Sequence, residues 1–160
     1  MSKVIIFPTD TVYGIGTPIF DTEGINKIYE IKKRPKEKPL ACLCKDIKQI
    51  DDIAILTDDA IKLINEFLPG PLTIILNSKD EVIKKIGYKT IAVRIPNDNL
   101  ALKILEDNGP MLTTSVNESG CVPENEYDEI YKKYNNLVDY IYKTDKKSSN
   151  VPSTIVLIDK

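Results

Sequence analysis

The apolar run Val4-Ile5-Ile6-Phe7 passes without a break into Pro8-Thr9-Asp10-Thr11-Val12-Tyr13-Gly14-Ile15-Gly16, and that junction constrains the chain more than any other stretch. The run reads as a buried strand. Its exit is not a plain turn. Small hydroxyl residues and two glycines at a strand exit present backbone amides and hydroxyls to a ligand. Two other polar clusters look built to meet this exit: Lys32-Lys33-Arg34-Pro35 and Thr113-Thr114-Ser115-Val116-Asn117. Together they predict an enzyme that handles a nucleotide.

Downstream, strands and helices alternate with no repeat and no low-complexity tract. Asp21 or Thr22 is placed to cap a helix through about Arg34, with Ile25, Ile28 and Tyr29 facing inward and Pro35 stopping it. Leu40 to Cys44 reads as a short strand. Thr57 then caps a helix striped by Ala60, Ile61, Ile64, Phe67 and Leu68, and Pro69-Gly70-Pro71 forms a rigid corner before a strand over Leu72 to Leu76. Thr90 to Ile95, Met111 to Ser115 and Ile155 to Ile158 are further strands. Helices are expected near Asp98 to Glu106 and along Tyr127, Ile130, Tyr131 and Tyr134. The pattern predicts one domain over residues 1–160: an α/β fold with a mixed sheet covered by helices. The first glycines lack the dinucleotide fingerprint and no lysine follows a phosphate-binding loop, so neither a Rossmann nor a P-loop site is expected.

Composition removes several chemistries. At 160 residues and 42% apolar content, one core suffices. The formal charge of −2 argues against wide, non-specific nucleic-acid binding. No apolar run approaches the ~20 residues that span a bilayer, and no secretory pattern opens the chain, so a cytoplasmic protein is expected. The chain has no histidine, which excludes Ser-His-Asp and Cys-His triads and any imidazole proton transfer. Cys42, Cys44 and Cys121 lack a zinc spacing and read as reduced thiols filling small apolar spaces. The pairs Asp51-Asp52 and Asp58-Asp59 read as partners of helix starts.

Two readings stand for the basic run Lys32, Lys33, Arg34, Lys36 and Lys38. It is a solvated helix end favoured by the dipole, or a phosphate grip using the fork of arginine and the point charge of lysine. The hydroxyl and amide run from Thr113 to Gly120 is either a self-capped turn or a set of donors and acceptors for a phosphate chain or a carboxylate. Arg94, inside the apolar strand Ile91-Ala92-Val93-Arg94-Ile95, either faces solvent on an edge or holds an anion in a cleft.

PTDTVYGIG, KKRP followed by KPL, PGPLTIIL, AVRIP, TTSVNESG and the late PSTIV, in that order and spacing, resemble the YrdC-like threonylcarbamoyl-AMP synthase family along nearly the whole chain. The resemblance implies a twisted sheet with a concave basic cavity. It implies condensation of L-threonine, bicarbonate and ATP into threonylcarbamoyl-adenylate and pyrophosphate, for the N6-threonylcarbamoyl group at adenosine 37 of tRNA. By resemblance, Lys32, Arg34, Ser115 and Asn117 form a catalytic tetrad on the nucleotide phosphates, and Lys38 and Thr90 also fall at ATP-contacting positions. Thr11, Arg94, Thr113 and Ser153 fall where the family holds threonine. Mg2+ is expected with ATP rather than at a site of protein ligands, and later tRNA-threonylcarbamoylation enzymes are the expected partners. The competing expectation is a non-catalytic RNA-binding or ribosome-associated protein of the same fold. A carbamoyl-transfer domain, as in the much larger hydrogenase-maturation enzymes, ranks last.

Overall fold

Eight strands join in one mixed sheet in the computed structural model of the chain, which describes residues 2–117, 123–144 and 154–158. They are β1 (Ile5–Phe7), β2 (Gly14–Pro18), β3 (Ala41–Leu43), β4 (Leu72–Asn77), β5 (Thr90–Arg94), β6 (Met111–Ser115), β7 (Tyr140–Ile141) and β8 (Thr154–Leu157). Their order across the sheet is β7-β1-β2-β6-β3-β5-β4-β8. Helices α1 (Thr22–Lys32), α2 (Ile47–Ile53), α3 (Asp58–Phe67), α4 (Asp80–Ile86), α5 (Asn99–Asn108) and α6 (Tyr127–Tyr134) complete the described elements. None of the described helices is long and apolar enough to cross a membrane.

Strand alternation divides the apolar side chains between two cores. Ile6, Ile15, Cys42, Ile74, Val93 and Leu112 enter the larger core, where α1 contributes Ile25, Ile28 and Tyr29 and α6 contributes Ile130 and Tyr134. Ile5, Phe7, Leu43 and Met111 turn to the other face, which α5 covers with Ala101, Ile104 and Leu105. Among the described residues that second helix layer is thinner, and the site lies on the part of the sheet face that these helices leave uncovered. The Cys42 and Cys44 thiols are buried and free, and burial pushes the Cys44 thiol well up, as expected of packing groups. Cys121 lies outside the described residues.

Several elements depart from the sequence expectation. Gly14 to Gly16, read as part of the strand exit, form a strand of their own, with Gly14 opposite Ser115 and Gly16 opposite Thr113. Glycine is what permits this pairing: a Cβ on Gly16 would stand 2.5 Å from Thr113 Cγ2. Helices α2 and α4 and strand β7 are short, so their periodicity never rises above that of a loop. Asp46 caps α2, which puts Asp51 and Asp52 near its end rather than its start. Asp58 and Asp59 do occupy the first turn of α3 behind the Thr57 cap. Phe67 and Tyr131, placed on apolar helix faces, are 51% and 45% exposed because each lies at the margin of its stripe. Helix α1 stops at Lys32, two residues short of Arg34, because Lys33 adopts the left-handed conformation (φ 53°). The Arg34 amide then donates back to the Tyr29 carbonyl at 3.0 Å, the long reverse bond of a Schellman ending.

Helix α1 sits close against β2 because of Gly24. A Cβ there would come within 2.1 Å of Thr17 Oγ1, and that hydroxyl is already committed, donating to the Lys3 carbonyl at 2.7 Å. Gly24→Ala is therefore expected to destabilise the fold by about 2 kcal/mol, the usual scale for overpacking. Urea denaturation of the variant checks this, and an unchanged midpoint would mean that helix and strand separate at no cost.

Candidate functional site

Thr113 and Ser115 lie two residues apart on β6 and so point to the same face, over the opening left by Gly14. Leu43 pairs with Arg94 in the β3–β5 register, and Ala41 pairs with Thr113 in the β3–β6 register. These pairings bring residues from four strands to one patch of sheet. With Thr11 and Tyr13 from the β1–β2 connection and Thr73 from β4, they line a cavity of about 170 Å³. Seven of its twelve lining residues carry a hydroxyl, and Arg94 is the single cation among the described lining residues.

Arg94 faces this cleft from an interior strand and is 5% exposed, which excludes the solvent-facing edge reading. Its Nη1 donates to Asp10 Oδ1 at 2.7 Å and to the Gly70 carbonyl at 3.1 Å. Its Nη2 donates to Thr11 Oγ1 at 3.0 Å and, at 3.4 Å, to Thr9 Oγ1. Each terminal nitrogen carries two hydrogens, so all four end donors of the guanidinium are placed. The hydroxyls are held in place as well. Thr9 donates to the Val12 carbonyl at 2.6 Å and accepts from the Thr11 amide at 3.1 Å, and the two threonine hydroxyls stand 3.1 Å apart. Asp10 and the Gly70 carbonyl were not singled out from the sequence. The signal was there for Asp10: a lone acid between threonines at a strand exit, with an unassigned arginine elsewhere in an apolar run.

Lys32 is 2% exposed and approaches from the α1 layer to the end of β6. Its Nζ donates to the Ser115 carbonyl at 2.6 Å and to Asn117 Oδ1 at 2.5 Å, while Ser115 Oγ donates to the same Oδ1 at 3.0 Å. Burial, and after it the nearby Arg34 charge, lower the Lys32 ammonium from 10.5 to about 8. Lys32 and, more than eighty positions further on, Ser115 and Asn117 thus form one hydrogen-bonded cluster.

Arg34 is placed differently. Its Nε donates to the Lys38 carbonyl at 3.2 Å and its Nη2 to the Pro39 carbonyl at 2.9 Å. A guanidinium has five N–H donors, and these two bonds leave three for an anion. Lys38 and Thr90 are exposed and do not line the cavity. Ser153 lies outside the described residues, as does Glu118 to Gly120 of the hydroxyl run. Among the described residues, no group of three or more His, Cys, Asp or Glu side chains is placed to hold a metal ion.

A helix-covered mixed sheet with a cleft at the strand ends, a paired arginine inside it and a buried lysine beside it is an α/β domain of the YrdC-like fold. The family model for Sua5, YciO and YrdC proteins, described as telomere recombination, matches residues 1–160. The chain belongs to that family. A Methanocaldococcus jannaschii protein provisionally named threonylcarbamoyl-AMP synthase is 37% identical over 157 residues, which are 98% of this chain and 75% of the relative. The structure of Pyrococcus abyssi Sua5 complexed with L-threonine superposes with a TM-score of 0.89 at 30% identity, over 99% of this chain and 48% of that one. Escherichia coli YciO superposes with a TM-score of 0.84 at 28% identity, over 99% of this chain and 79% of that one. The chain thus spans about half the length of the Pyrococcus protein.

Proposed function

We propose that this protein is a threonylcarbamoyl-AMP synthase acting in the cytoplasm. The observation that carries the reading is the meeting of Lys32, Ser115 and Asn117 beside a cleft that already holds Arg94, Thr11 and Thr113. The relatives' names and the threonine complex of the Pyrococcus structure point the same way.

The chemistry needs no imidazole. The amine of threonine attacks CO2 in equilibrium with bicarbonate, forming a carbon–nitrogen bond and releasing a proton. A carbamate oxygen then attacks the α-phosphate of ATP, and the bond to the leaving pyrophosphate breaks. The protein's part is to hold three reactants in reach and to stabilise negative charge with donors already in place. The triphosphate goes to Lys32, Arg34, Ser115 and Asn117, with Lys38 and Thr90 at its margin and Mg2+ arriving on its oxygens. Threonine goes to the hydroxyl cleft of Thr11, Arg94 and Thr113, with Ser153 beside it. The labile adenylate requires a later enzyme that transfers the threonylcarbamoyl group to tRNA. Pyrophosphate release that depends on both threonine and bicarbonate tests the assignment. A protein that releases none, yet binds RNA with an affinity falling steeply with salt, would be the non-catalytic relative.

Lys32 gives this reading a pH signature. A triphosphate beside Nζ favours the protonated lysine, so ATP affinity should decline as pH rises past about 8. Titrations of ATP across that range check it, and Lys32→Met should flatten the dependence. Stability runs the opposite way. The unfolded chain holds more protons on this group between pH 8 and 10.5, so its contribution to stability rises through that window.

A further inference from the structure

Tyr88 lies between α4 and β5, where nothing in the proposed chemistry calls for it. Gly87 (φ 76°) ends α4, and the turn delivers Tyr88 to the basic segment after α1. The Tyr88 hydroxyl accepts from the Leu40 amide at 2.9 Å and stands 3.2 Å from the Tyr29 hydroxyl. Tyr29, 4% exposed, donates to the Lys38 carbonyl at 2.5 Å.

Donor logic fixes the direction of every bond in this group. A carbonyl only accepts, so the single Tyr29 hydrogen goes to Lys38. The contact between the two rings must then be Tyr88 donating to Tyr29. The order runs from the Leu40 amide to Tyr88, to Tyr29, to the Lys38 carbonyl, and closes through the backbone between those residues. Arg34 is seated on the same strip, with Nε on the Lys38 carbonyl and Nη2 on that of Pro39. A turn bond from the Lys38 amide to the Pro35 carbonyl at 3.1 Å completes the arch. Burial raises the Tyr88 hydroxyl above its usual range, which keeps it neutral and able to both give and accept.

We propose that Tyr88 is a positioning residue for the nucleotide: its hydroxyl closes the circuit that fixes the Lys38–Leu40 backbone and, through it, the angle of the Arg34 guanidinium. The inference rests on the nucleotide reading of Arg34 under the proposed function. Its reach is one-sided. The Tyr88 hydroxyl meets the loop assigned to ATP, and neither Tyr29 nor Leu40, which it bonds, lines the threonine cleft.

Tyr88→Phe keeps the ring, which packs against the larger core, and removes one oxygen. The expected result is ATP binding about fivefold weaker by calorimetry and KM, the scale of one hydrogen bond, with the KM for threonine unchanged. In an Arg34→Ala background the same substitution should add no further loss, because the tyrosine acts through that arginine. Equal ATP affinity in Tyr88→Phe and wild type overturns the inference. So does a parallel loss of threonine affinity and melting temperature, which marks a purely structural role, or an additive loss in the double variant. A wild-type protein that binds no ATP at all removes the nucleotide reading first, and is told apart from those results by the wild-type titration alone.

Discussion

Asp10→Ala is expected to lower stability by about 3 kcal/mol, the low end for removing one partner of a buried ion pair. Arg94 remains, 5% exposed, with its charge no longer balanced. The loss stays at the low end because two threonine hydroxyls and the Gly70 carbonyl still accept from it. For a chain of this length the melting temperature should fall by roughly 10 °C. The same variant examines the threonine assignment. With its four end donors already placed, Arg94 can offer a substrate carboxylate its two-nitrogen fork only where Asp10 gives up its position. Threonine should therefore raise the melting temperature of Asp10→Ala more than that of the wild type, since the substrate restores the missing negative charge. Equal shifts would remove Arg94 from the threonine site and leave it as a strut between the strand exit and the Gly70 corner.

Arg34→Ala should leave the fold nearly intact and remove most of the activity. Its bonds to Lys38 and Pro39 lie at the surface, so their loss costs little stability. Its three remaining donors are assigned to the triphosphate, where fixed charge-assisted contacts are worth roughly 2–4 kcal/mol in the transition state. That corresponds to about a 30- to 1,000-fold fall in kcat/KM. Arg34→Lys should recover little, because an ammonium cannot sit on two loop carbonyls and still present a planar fork. Initial rates of pyrophosphate release measure both. Full adenylate formation by Arg34→Ala would refute the phosphate role and reduce Arg34 to a loop brace.

The larger elements were legible because their signals are local. Ile25, Ile28 and Tyr29 on α1, and Ala60 and Ile64 on α3, repeat at helical spacing and are buried as that spacing requires. Asp21 and Thr57 cap those helices through side-chain bonds to Gly24 and Ala60. The short pieces were not legible. Strand β2 carries two glycines and a proline, which read as loop until their pairing with β6 is seen, and β7 is only two residues long. The site was legible in part. Lys32, Ser115 and Asn117 were expected together and are together, but nothing local said that Lys32 is buried or that Arg34 turns back onto its own loop. The pairings of Asp10 with Arg94 and of Tyr29 with Tyr88 escaped because they join residues 84 and 59 positions apart.

The amino-acid sequence by itself settled the residue chemistry of this protein: no imidazole, cations gathered after one helix, hydroxyls after one strand, and helices where apolar residues repeat. Those are properties of neighbours in the chain, set by propensity and spacing. Which strand lies beside which was decided only in three dimensions, by two cores filling at once from opposite faces of one sheet. That packing put β6 between β2 and β3, and so carried Thr113 and Ser115 into the same hollow as Arg94. Pairing energies between distant segments leave no local periodicity, and the arginine's engagement by Asp10 is a consequence of them.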